Sequence, residues 1–271
     1  MGSFCRLGVL GDPLTFTRSP DLHRAALAAI GWSGESAALR TGVDALGMRL
    51  AALAAQGWRG VNLTHPLKSA ALEHLDRVAP AAARARSVNT VGFGPDGWWG
   101  ESTDGPGFID LLAALDREPA AQRTVLLGAG GAARSVGLAL LERSGLGLTV
   151  SARRPESALE EWRDVPGATI VGWRSEEEKL ALESATLVVN ATPLSGRDWP
   201  APLDGLGRGT LVVDLVYGEA PTPWVEQARA RGLDACDGLG LLVFQARRSL
   251  ALWTGAEIPL APLLRAVGWP R

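Results

Sequence analysis

The sequence predicts an α/β protein of two domains. Its 271 residues are enough for two domains of ordinary size. From residue 124 onwards, apolar β-rich runs alternate regularly with helical patterns, which is typical of a parallel sheet covered by helices. A turn of small residues, "GAGGAA", stands between the first of those strands and its helix. We therefore expect an N-terminal α/β domain over residues 1–104, a second domain over 105–238, and C-terminal helices in 239–271 that return to the first domain.

Composition narrows the classes of partner and compartment. A formal net charge of -2 gives no reason to expect nucleic acid or an anionic membrane as partner. No apolar run approaches the roughly 18 residues of a membrane helix, and the start lacks a signal-peptide pattern. Cys5 and Cys236 lie far apart, and His23, His65 and His74 lack metal-ligand spacing. We expect a cytoplasmic monomer or homodimer without a bound metal.

The N-terminal domain begins with a strand and two helices. The run "FCRLGVLG" at 4–11 predicts the first strand. In "SPDLHRAALAAI", Ser19 is a candidate N-cap and Pro20 suits the first helical position, so a helix is predicted there. A second helix is predicted from about Asp44 to Ala55.

The rest of this domain adds a buried strand, a third helix and a hairpin. "GVNLT" predicts the strand, and Pro66 then begins a helix in which Leu67, Ala71 and Leu75 recur at helical spacing. "SVNTVGFGPDGWWGEST" contains two short β-rich runs around Pro-Asp-Gly, which predicts a hairpin. A further helix is predicted from Asp104.

The second domain shows four apolar strands, in "TVLL", "LGLTVSARR", "TLVVNAT" and "GTLVVDLVY". Strands of this kind, separated by helices, indicate a parallel sheet that is covered on both faces. A long helix is predicted from Leu239 to about Trp253.

The turn "GAGGAA" matches the dinucleotide pattern G-x-G-x-x-[G/A] in its proper strand–helix context. Gly128 would make the tight turn, Gly130 would let the backbone approach a pyrophosphate, and Ala133 would let helix and strand pack closely. The helix N-terminus offers N–H groups to phosphate. The pattern therefore predicts a Rossmann-type, doubly wound domain; the alternative is a tight turn that binds nothing.

The end of the second strand indicates which dinucleotide. Sites for NAD usually carry Asp or Glu there, which accepts a hydrogen bond from the ribose 2′-hydroxyl. Here "SARRP" supplies Arg153 and Arg154, with no carboxylate before Glu156. Two guanidinium groups suit a 2′-phosphate, so NADP is the predicted cofactor. The alternative is a solvated loop in an arginine-rich chain.

Lys68 is a candidate acid/base. Only Lys68 and Lys179 are lysines among the 27 basic residues, and Lys68 would lie at the unfavourable end of a helix dipole. Unlike arginine, lysine can exchange its proton near neutral pH, so it can serve as acid and base. Asp104, near the predicted domain boundary, is a plausible partner. His65 is a second candidate, and the residues alone do not decide between the two; an exposed surface lysine is the remaining alternative.

Seven ordered segments together resemble the shikimate dehydrogenase family across nearly the whole chain. They are "GDPLTFTRSPDLHRAAL", "GVNLTHPLK", "SVNTV", "GESTDGPG", "GAGGAAR", "VVNAT" and "DGLGLLVFQA". The resemblance implies reversible reduction of 3-dehydroshikimate to shikimate with NADPH, in the pathway to chorismate and the aromatic amino acids.

The resemblance also implies roles for individual residues. Lys68 would be the acid/base, paired with Asp104. Hydroxyl groups would bind the substrate carboxylate, those of Thr17, Ser19, Thr64 and Tyr217. Asn89, Asp104 and Gln245 would bind ring hydroxyls. The cofactor would contact Gly128, Ala129, Gly130, Gly131, Ala132, Arg153, Arg154, Thr192, Leu215 and Gly238.

Two departures from the family pattern bear on specificity. Thr17 stands where the family has serine, which keeps a hydroxyl but adds a methyl group. A relative that acts on quinate or aminoshikimate is therefore an alternative. Ala152 and Arg154 flank the expected phosphate-binding Arg153, in "ARR" for the usual N-R-T. A non-catalytic module that senses NADPH is the alternative from a different class, and it would not need both Lys68 and Asp104.

Overall fold

The computed structural model describes residues 3–143, 146–194 and 199–271. Its contacts divide the chain into two compact units. Unit 1 comprises Met1–Gly107 and Leu242–Pro270, and unit 2 comprises Phe108–Leu241 and Arg271. The α/β class is confirmed, since both units contain a six-stranded sheet.

The strands, in chain order, are β1 Phe4–Gly11, β2 Ser33–Arg40, β3 Gly60–Leu63, β4 Arg77–Val78, β5 Thr90–Gly94, β6 Gly97–Glu101, β7 Thr124–Leu127, β8 Leu148–Ala152, β9 Ala168–Gly172, β10 Leu187–Asn190, β11 Leu211–Asp214 and β12 Asp234–Cys236. The α-helices are α1 Ser19–Ala29, α2 Leu46–Ala55, α3 Leu67–Ala70, α4 Pro80–Ala85, α5 Asp104–Ala114, α6 Gly131–Leu141, α7 Pro155–Trp162, α8 Glu176–Ser184, α9 Pro223–Ala230, α10 Leu239–Thr254 and α11 Leu260–Val267. Short 3-10 helices cover Val43–Ala45, Ala71–His74 and Pro119–Ala121.

The sheet of unit 1 is mixed, with the order β2-β1-β3-β5-β6-β4. Strand β1 pairs in parallel with β2 and β3, whereas β5 pairs antiparallel with β3 and β6. The predicted hairpin is confirmed as β5 and β6. The carboxyl ends of β1 and β3 meet at one edge of the sheet, which brings the loops that follow them together.

Strand β2 has no counterpart in the sequence prediction. Its residues, "SGESAALR", are mostly small or polar and have little intrinsic preference for strands. They form a strand because every residue pairs with β1, from Ser33 opposite Phe4 to Arg40 opposite Gly11. A tertiary pairing therefore decides this element, and it lies at the edge of the sheet.

The helix predicted from Pro66 is much shorter than its apolar spacing suggested. Helix α3 ends at Ala70, a 3-10 helix continues to His74, and Leu75 is extended. Lys68 consequently lies within a four-residue helix and not at the start of a long one. A helix of one turn has a small dipole, so the predicted unfavourable position of Lys68 was wrong.

The start of α1 also differs by one residue from the prediction. Ser19 is the first helical residue, and Arg18 occupies the N-cap position. The Ser19 side chain is buried and contacts Thr17 instead of capping the helix. Pro20 still lies in the first turn, where its missing N–H costs no hydrogen bond.

The sheet of unit 2 has the order β12-β11-β10-β7-β8-β9, and all of its pairings are parallel. This confirms the prediction of a doubly wound, Rossmann-type domain, in which chain order reverses between β7 and β10. Two predicted strands end early, β8 at Ala152 and β11 at Asp214, so Arg153, Arg154 and Tyr217 lie in loops. Strand β9 and its flanking helices had no counterpart in the prediction.

Two further findings concern the described residues. None of their helices has the length and apolar character that crossing a bilayer requires. No group of three or more His, Cys, Asp or Glu among them is placed to hold a metal ion.

Candidate active site and cofactor-binding loops

Lys68 and Asp104 form a close ion pair in unit 1. The Nζ atom of Lys68 lies 2.5 Å from Oδ2 of Asp104. The Lys68 side chain is 21% exposed and that of Asp104 is 6% exposed, so the pair is shielded from water but reachable on the lysine side. The main chain of Lys68 is tied to the hairpin, because its carbonyl accepts the N–H of Val88 at 2.8 Å. An ammonium beside a buried carboxylate can hold and exchange a proton.

Asn89 holds the second oxygen of Asp104. Its Nδ2 donates to Asp104 Oδ1 at 2.8 Å, and its Oδ1 accepts the backbone N–H of Thr103 at 2.8 Å. A backbone N–H can only donate and a carboxylate can only accept, so these two bonds fix which way the amide points. Gln245 Oε1 lies 3.1 Å from Asn89 Nδ2, which brings Gln245 into the same group.

Helix α10 reaches this group because α5 allows a close approach. A side chain at Gly107 would place its Cβ 2.8 Å from the Gln245 nitrogen and 2.9 Å from its Cα. Only a residue without Cβ fits there, and the sequence prediction did not single out Gly107. The contact sets Gln245 beside Thr103, whose Oγ1 lies 3.3 Å from Gln245 Oε1.

A buried polar network continues from Asn89 into the core of unit 1. Its members, which the sequence prediction did not identify as site residues, are His23, Asn62, Thr90, Thr103 and Ser249, each at most 4% exposed. The signal was present, because Asn62 interrupts the apolar strand β3 and Thr90 begins β5. Polar residues at buried strand positions require partners, but sequence periodicity does not show which ones.

His23 is neutral inside this network. Burial lowers its pKa to about 4, the hydrogen bond with Asn62 opposes that effect, and the Arg24 charge adds to it. The ring contacts Ser36 Oγ at 2.8 Å through Nδ1 and Asn62 Oδ1 at 3.0 Å through Nε2. It also packs edge-on against Trp253, with ring centroids 5.6 Å apart.

The hydroxyls predicted to bind a carboxylate follow β1 and β3. Thr17 Oγ1 lies 3.2 Å from Ser19 Oγ and accepts the Ser19 N–H at 3.2 Å, so these two side chains form one polar group. Thr64 directly follows β3 and is half-buried. Its backbone N–H donates to Leu10 at 2.9 Å, which ties it to the end of β1. The loops that follow β1 and β3 therefore lie at the carboxyl end of these strands, where α3 also begins.

The glycine turn of unit 2 has a geometry that suits a phosphate. Gly128 has φ 102°, a conformation that favours glycine. An added Cβ at Gly130 would meet no described atom within 4 Å, and within the described chain no side chain caps the start of α6. Gly131 and Ala132 begin that helix, so their N–H groups are available to an anion. These residues fit a dinucleotide pyrophosphate.

The same turn is braced from behind. The carbonyl of Ala129 accepts the indole N–H of Trp162 at 3.0 Å. Arg134, which follows the turn in "GAGGAAR", is buried and donates to Asp164 at 2.6 Å and to the Glu161 carbonyl at 2.6 Å. Arg134 thus joins α6 to the end of α7 and to the segment that follows it.

Arg153 and Arg154 are exposed directly after β8. The buried carboxylate of Glu178 accepts the hydroxyl hydrogen of Ser151 and the backbone N–H of Arg174, the latter at 2.8 Å. Glu178 is therefore already hydrogen-bonded within the protein at the end of β8, while the exposed side chains there, Arg153 and Arg154, are cationic. This distribution favours a phosphate over a ribose hydroxyl.

A second buried carboxylate organises the loops after β10 and β11. Asp214 accepts from Asn190 Nδ2 at 2.8 Å, the Val216 N–H at 3.0 Å and the Thr222 hydroxyl at 2.7 Å. Burial raises the pKa of Asp214 to about 6, against these hydrogen bonds, which lower it, with nearby Asp237 raising it further. The sequence prediction passed over Asp214, although an acidic residue at the end of an apolar strand is a usable signal.

Two of the predicted cofactor residues on these loops, Thr192 and Leu215, are hydrogen-bonded to Asn190, which itself donates to Asp214. Asn190 Oδ1 accepts from the Thr192 N–H at 2.9 Å and from its hydroxyl at 2.6 Å. Leu215 donates its N–H to the Asn190 carbonyl at 2.8 Å. Gly238 packs on Leu215 so closely that a Cβ there would lie 2.1 Å from the Leu215 carbonyl oxygen. Tyr217 is half-buried on the loop after β11.

Comparisons with known proteins point in one direction. The profile described as shikimate dehydrogenase substrate binding domain matches residues 9–91. The chain is 40% identical to the shikimate dehydrogenase (NADP(+)) of Dinoroseobacter shibae, over 96% of this chain and 95% of that protein. It is 43% identical to the enzyme of the same name from Acidiphilium cryptum, over 92% of this chain and 90% of that protein.

A solved structure gives the same result. The shikimate 5-dehydrogenase of Thermus thermophilus in complex with NADP(H) and shikimate aligns with a TM-score of 0.87 at 37% identity. The alignment covers 97% of this chain and 98% of that one.

We predict that Asp214→Asn removes a pH dependence of stability. As the pH rises, the unfolded chain loses the Asp214 proton at a lower pH than the folded chain does, so wild-type stability falls between about pH 4 and pH 6 and then levels off. Over that range the free energy of unfolding of the wild type should fall by about 3 kcal/mol relative to that of the variant. Urea unfolding at several pH values measures it.

Asp204→Asn is the matched control, because the Asp204 side chain is 86% exposed in the same unit. Its difference from wild type should change little with pH. A constant difference between wild type and Asp214→Asn across the range would contradict the assignment.

Proposed function

We propose catalytic and binding roles for residues of this chain, on the premise that the chain belongs to the shikimate dehydrogenase family. It catalyses the NADP-dependent, reversible reduction of 3-dehydroshikimate to shikimate, a step of aromatic amino-acid biosynthesis. The observation that carries the assignment of roles is the shielded pair of Lys68 and Asp104, 2.5 Å apart. Unit 1 is the proposed substrate domain and unit 2 the proposed NADP domain.

Lys68 is the proposed acid/base. NADPH supplies a hydride to the C3 carbonyl carbon, and Lys68 donates a proton to the C3 oxygen, which gives the alcohol. In the reverse direction Lys68 accepts that proton. Asp104 holds the ammonium in place and offsets the cost of removing it from water. His65 is exposed and is not needed in this scheme.

Short polar side chains bind the rest of the substrate in this proposal. Hydroxyl groups on one edge of the sheet, those of Thr17, Ser19 and Thr64, take the carboxylate. Asn89, Asp104 and Gln245 take ring hydroxyls, and their mutual hydrogen bonds support a group that is already in place. Tyr217, in unit 2, stays a prediction as a further carboxylate ligand.

The loops of unit 2 bind NADP in this proposal. The turn formed by Gly128, Ala129, Gly130, Gly131 and Ala132 takes the pyrophosphate at the start of α6. Arg153 and Arg154 take the 2′-phosphate. Thr192, Leu215 and Gly238 line the loops after β10 and β11, which Asn190 and Asp214 hold in place.

We further propose that the protein works in the cytoplasm as a monomer or homodimer. Both cysteines are free and buried, which suits a reducing compartment. Light scattering of the purified protein distinguishes the two oligomeric states.

We predict that Lys68→Ala lowers kcat at least about 100-fold, the usual effect of losing a general acid/base. Shikimate should still bind, because the hydroxyl and amide groups remain. Steady-state kinetics and equilibrium binding measure the two effects. Lys179→Ala is the matched control, since Lys179 is the other lysine and its side chain is 63% exposed. Near-normal turnover of Lys68→Ala would move the role to His65, and His65→Ala would then test that alternative.

We predict that Arg153→Ala weakens NADPH binding by about tenfold or more, the usual effect of losing a charge-assisted bond. NADH binding should change much less, because NADH lacks the 2′-phosphate. Arg208→Ala is the control, since Arg208 is exposed and lies just before β11, at the amino ends of the parallel strands, whereas Arg153 lies at their carboxyl ends. Equal losses for both cofactors would show that Arg153 does not read the 2′-phosphate.

An assay of substrate choice tests the proposed reaction directly. We expect shikimate with NADP⁺ to be oxidised faster than quinate or aminoshikimate with either cofactor. Thr17 is the reason for including the other acids, because its hydroxyl lies 3.2 Å from that of Ser19 and its side chain carries a methyl group that serine lacks. Faster turnover of quinate with NAD⁺ would show that quinate, and not shikimate, is the preferred substrate. No turnover of any of the acids would favour the alternative of a non-catalytic module that senses NADPH.

A further inference from the structure

A continuous path of hydrogen bonds joins His23 to Asp104 through the core of unit 1. It passes from His23 to Asn62, from Asn62 to Ser249 and Thr90, and from Thr90 to Asn89, which holds Asp104. The longest of these contacts is 3.3 Å. His23 and Ser249 are fully buried, so water cannot replace a lost partner at either of them.

The direction of each bond near His23 follows from groups that have only one role. The Asn89 carbonyl can only accept, so the atom of Asn62 that faces it at 3.0 Å is the nitrogen. The oxygen of Asn62 therefore faces His23 Nε2, which must carry the hydrogen. Since the ring is neutral, Nδ1 has no hydrogen and accepts from the Ser36 hydroxyl.

The Asn89 carbonyl fixes the orientation of the Asn62 amide, and His23 supplies the hydrogen that the Asn62 oxygen needs in that orientation. If Asn62 turned over, its oxygen would face the Asn89 carbonyl, and two acceptors would oppose each other without water between them. In the observed orientation Asn62 Nδ2 donates to the main chain of Asn89 and lies 3.0 Å from Ser249 Oγ. Ser249 Oγ is in turn 2.7 Å from Thr90 Oγ1, which donates to Asn89 Oδ1 at 3.1 Å.

We propose that His23 is a positioning residue for the reaction, acting through Asn62, Thr90 and Asn89 to aim the Asp104 carboxylate at Lys68. The inference rests on the proposed roles of Lys68 and Asp104. His23 touches neither of them, and its effect is on where Asn89 places its amide nitrogen. That nitrogen takes Oδ1 of Asp104 and leaves Oδ2 for the Lys68 ammonium.

A comparison of two substitutions tests this role. His23→Leu keeps an apolar side chain of similar size and removes the donor to Asn62. His23→Gln can keep an N–H near the position of Nε2. We expect His23→Leu to lower kcat for shikimate oxidation at least about tenfold, since small misplacements of catalytic groups have large effects. The KM for shikimate should stay within about threefold. His23→Gln should recover most of the lost kcat.

Leu50→Ala is the control for instability alone. Leu50 is fully buried in α2 and belongs to the apolar core of the same unit, outside the polar network. It should lower stability without lowering the kcat of the folded enzyme. If kcat of His23→Leu stays close to wild type, or if His23→Gln is as slow as His23→Leu, the positioning role is overturned. Wild-type protein that does not oxidise shikimate would instead remove the proposed function, a separate result.

Two measurements apply if His23→Leu does not fold. Thr90→Val keeps the shape of the side chain and removes the hydroxyl that donates to Asn89, so it should also lower kcat about tenfold. Nitrogen-15 NMR of the wild type should show a neutral His23 ring with hydrogen on Nε2 at pH 6, and substitution of His65 and His74 identifies the other two signals. Unchanged kcat in Thr90→Val, or hydrogen on Nδ1, would overturn the proposal.

Discussion

The carboxylate of Asp104 is the group on which the geometry of unit 1 depends. A charge with a 6% exposed side chain is stable only where both oxygens have partners, because desolvation of an unpaired carboxylate costs several kcal/mol. Lys68 supplies one partner and Asn89 the other. Asn89 can serve only if its amide points one way, so Thr103 and Thr90 hold its oxygen. The need to satisfy one buried charge thus extends through several polar side chains into the core.

Unit 2 uses the same physical device for a different purpose. Asp214 is buried at the end of β11 and accepts three hydrogen bonds from the loops around it. Through Asn190 it also holds Thr192 on the loop after β10. Loops at the carboxyl edge of a parallel sheet have few backbone partners of their own, so a buried acid that collects their N–H and O–H groups gives them one conformation. In both units a buried carboxylate therefore holds residues of the candidate site in place.

Local patterns were reliable where one segment contains all the necessary information. In the turn "GAGGAA", Gly128 has a positive φ, and in the described chain no side chain caps the start of α6, so both features arise within a few residues. Local patterns gave wrong predictions where the conformation of a segment depends on a residue outside it. Strand β2 forms because β1 pairs with it, and α3 stops at Ala70 although its apolar spacing continues. Ser19 resembles an N-cap in the sequence, yet its hydroxyl lies against Thr17.

Residue types at short spacing are enough to predict the fold class, the candidate phosphate turn, the arginines after β8 and a set of chemically suitable side chains. The residues also indicate Lys68 and Asp104, but by themselves they leave Lys68 and His65 as alternatives, and only the family resemblance favours Lys68. The distance of 2.5 Å between Lys68 Nζ and Asp104 Oδ2, and the hydrogen bonds that connect His23, Asn62 and Ser249, follow only from the packing of the chain in space. Hydrogen bonds between residues as far apart as 62 and 249 have no local signature, because they depend on how strands and helices are packed in space.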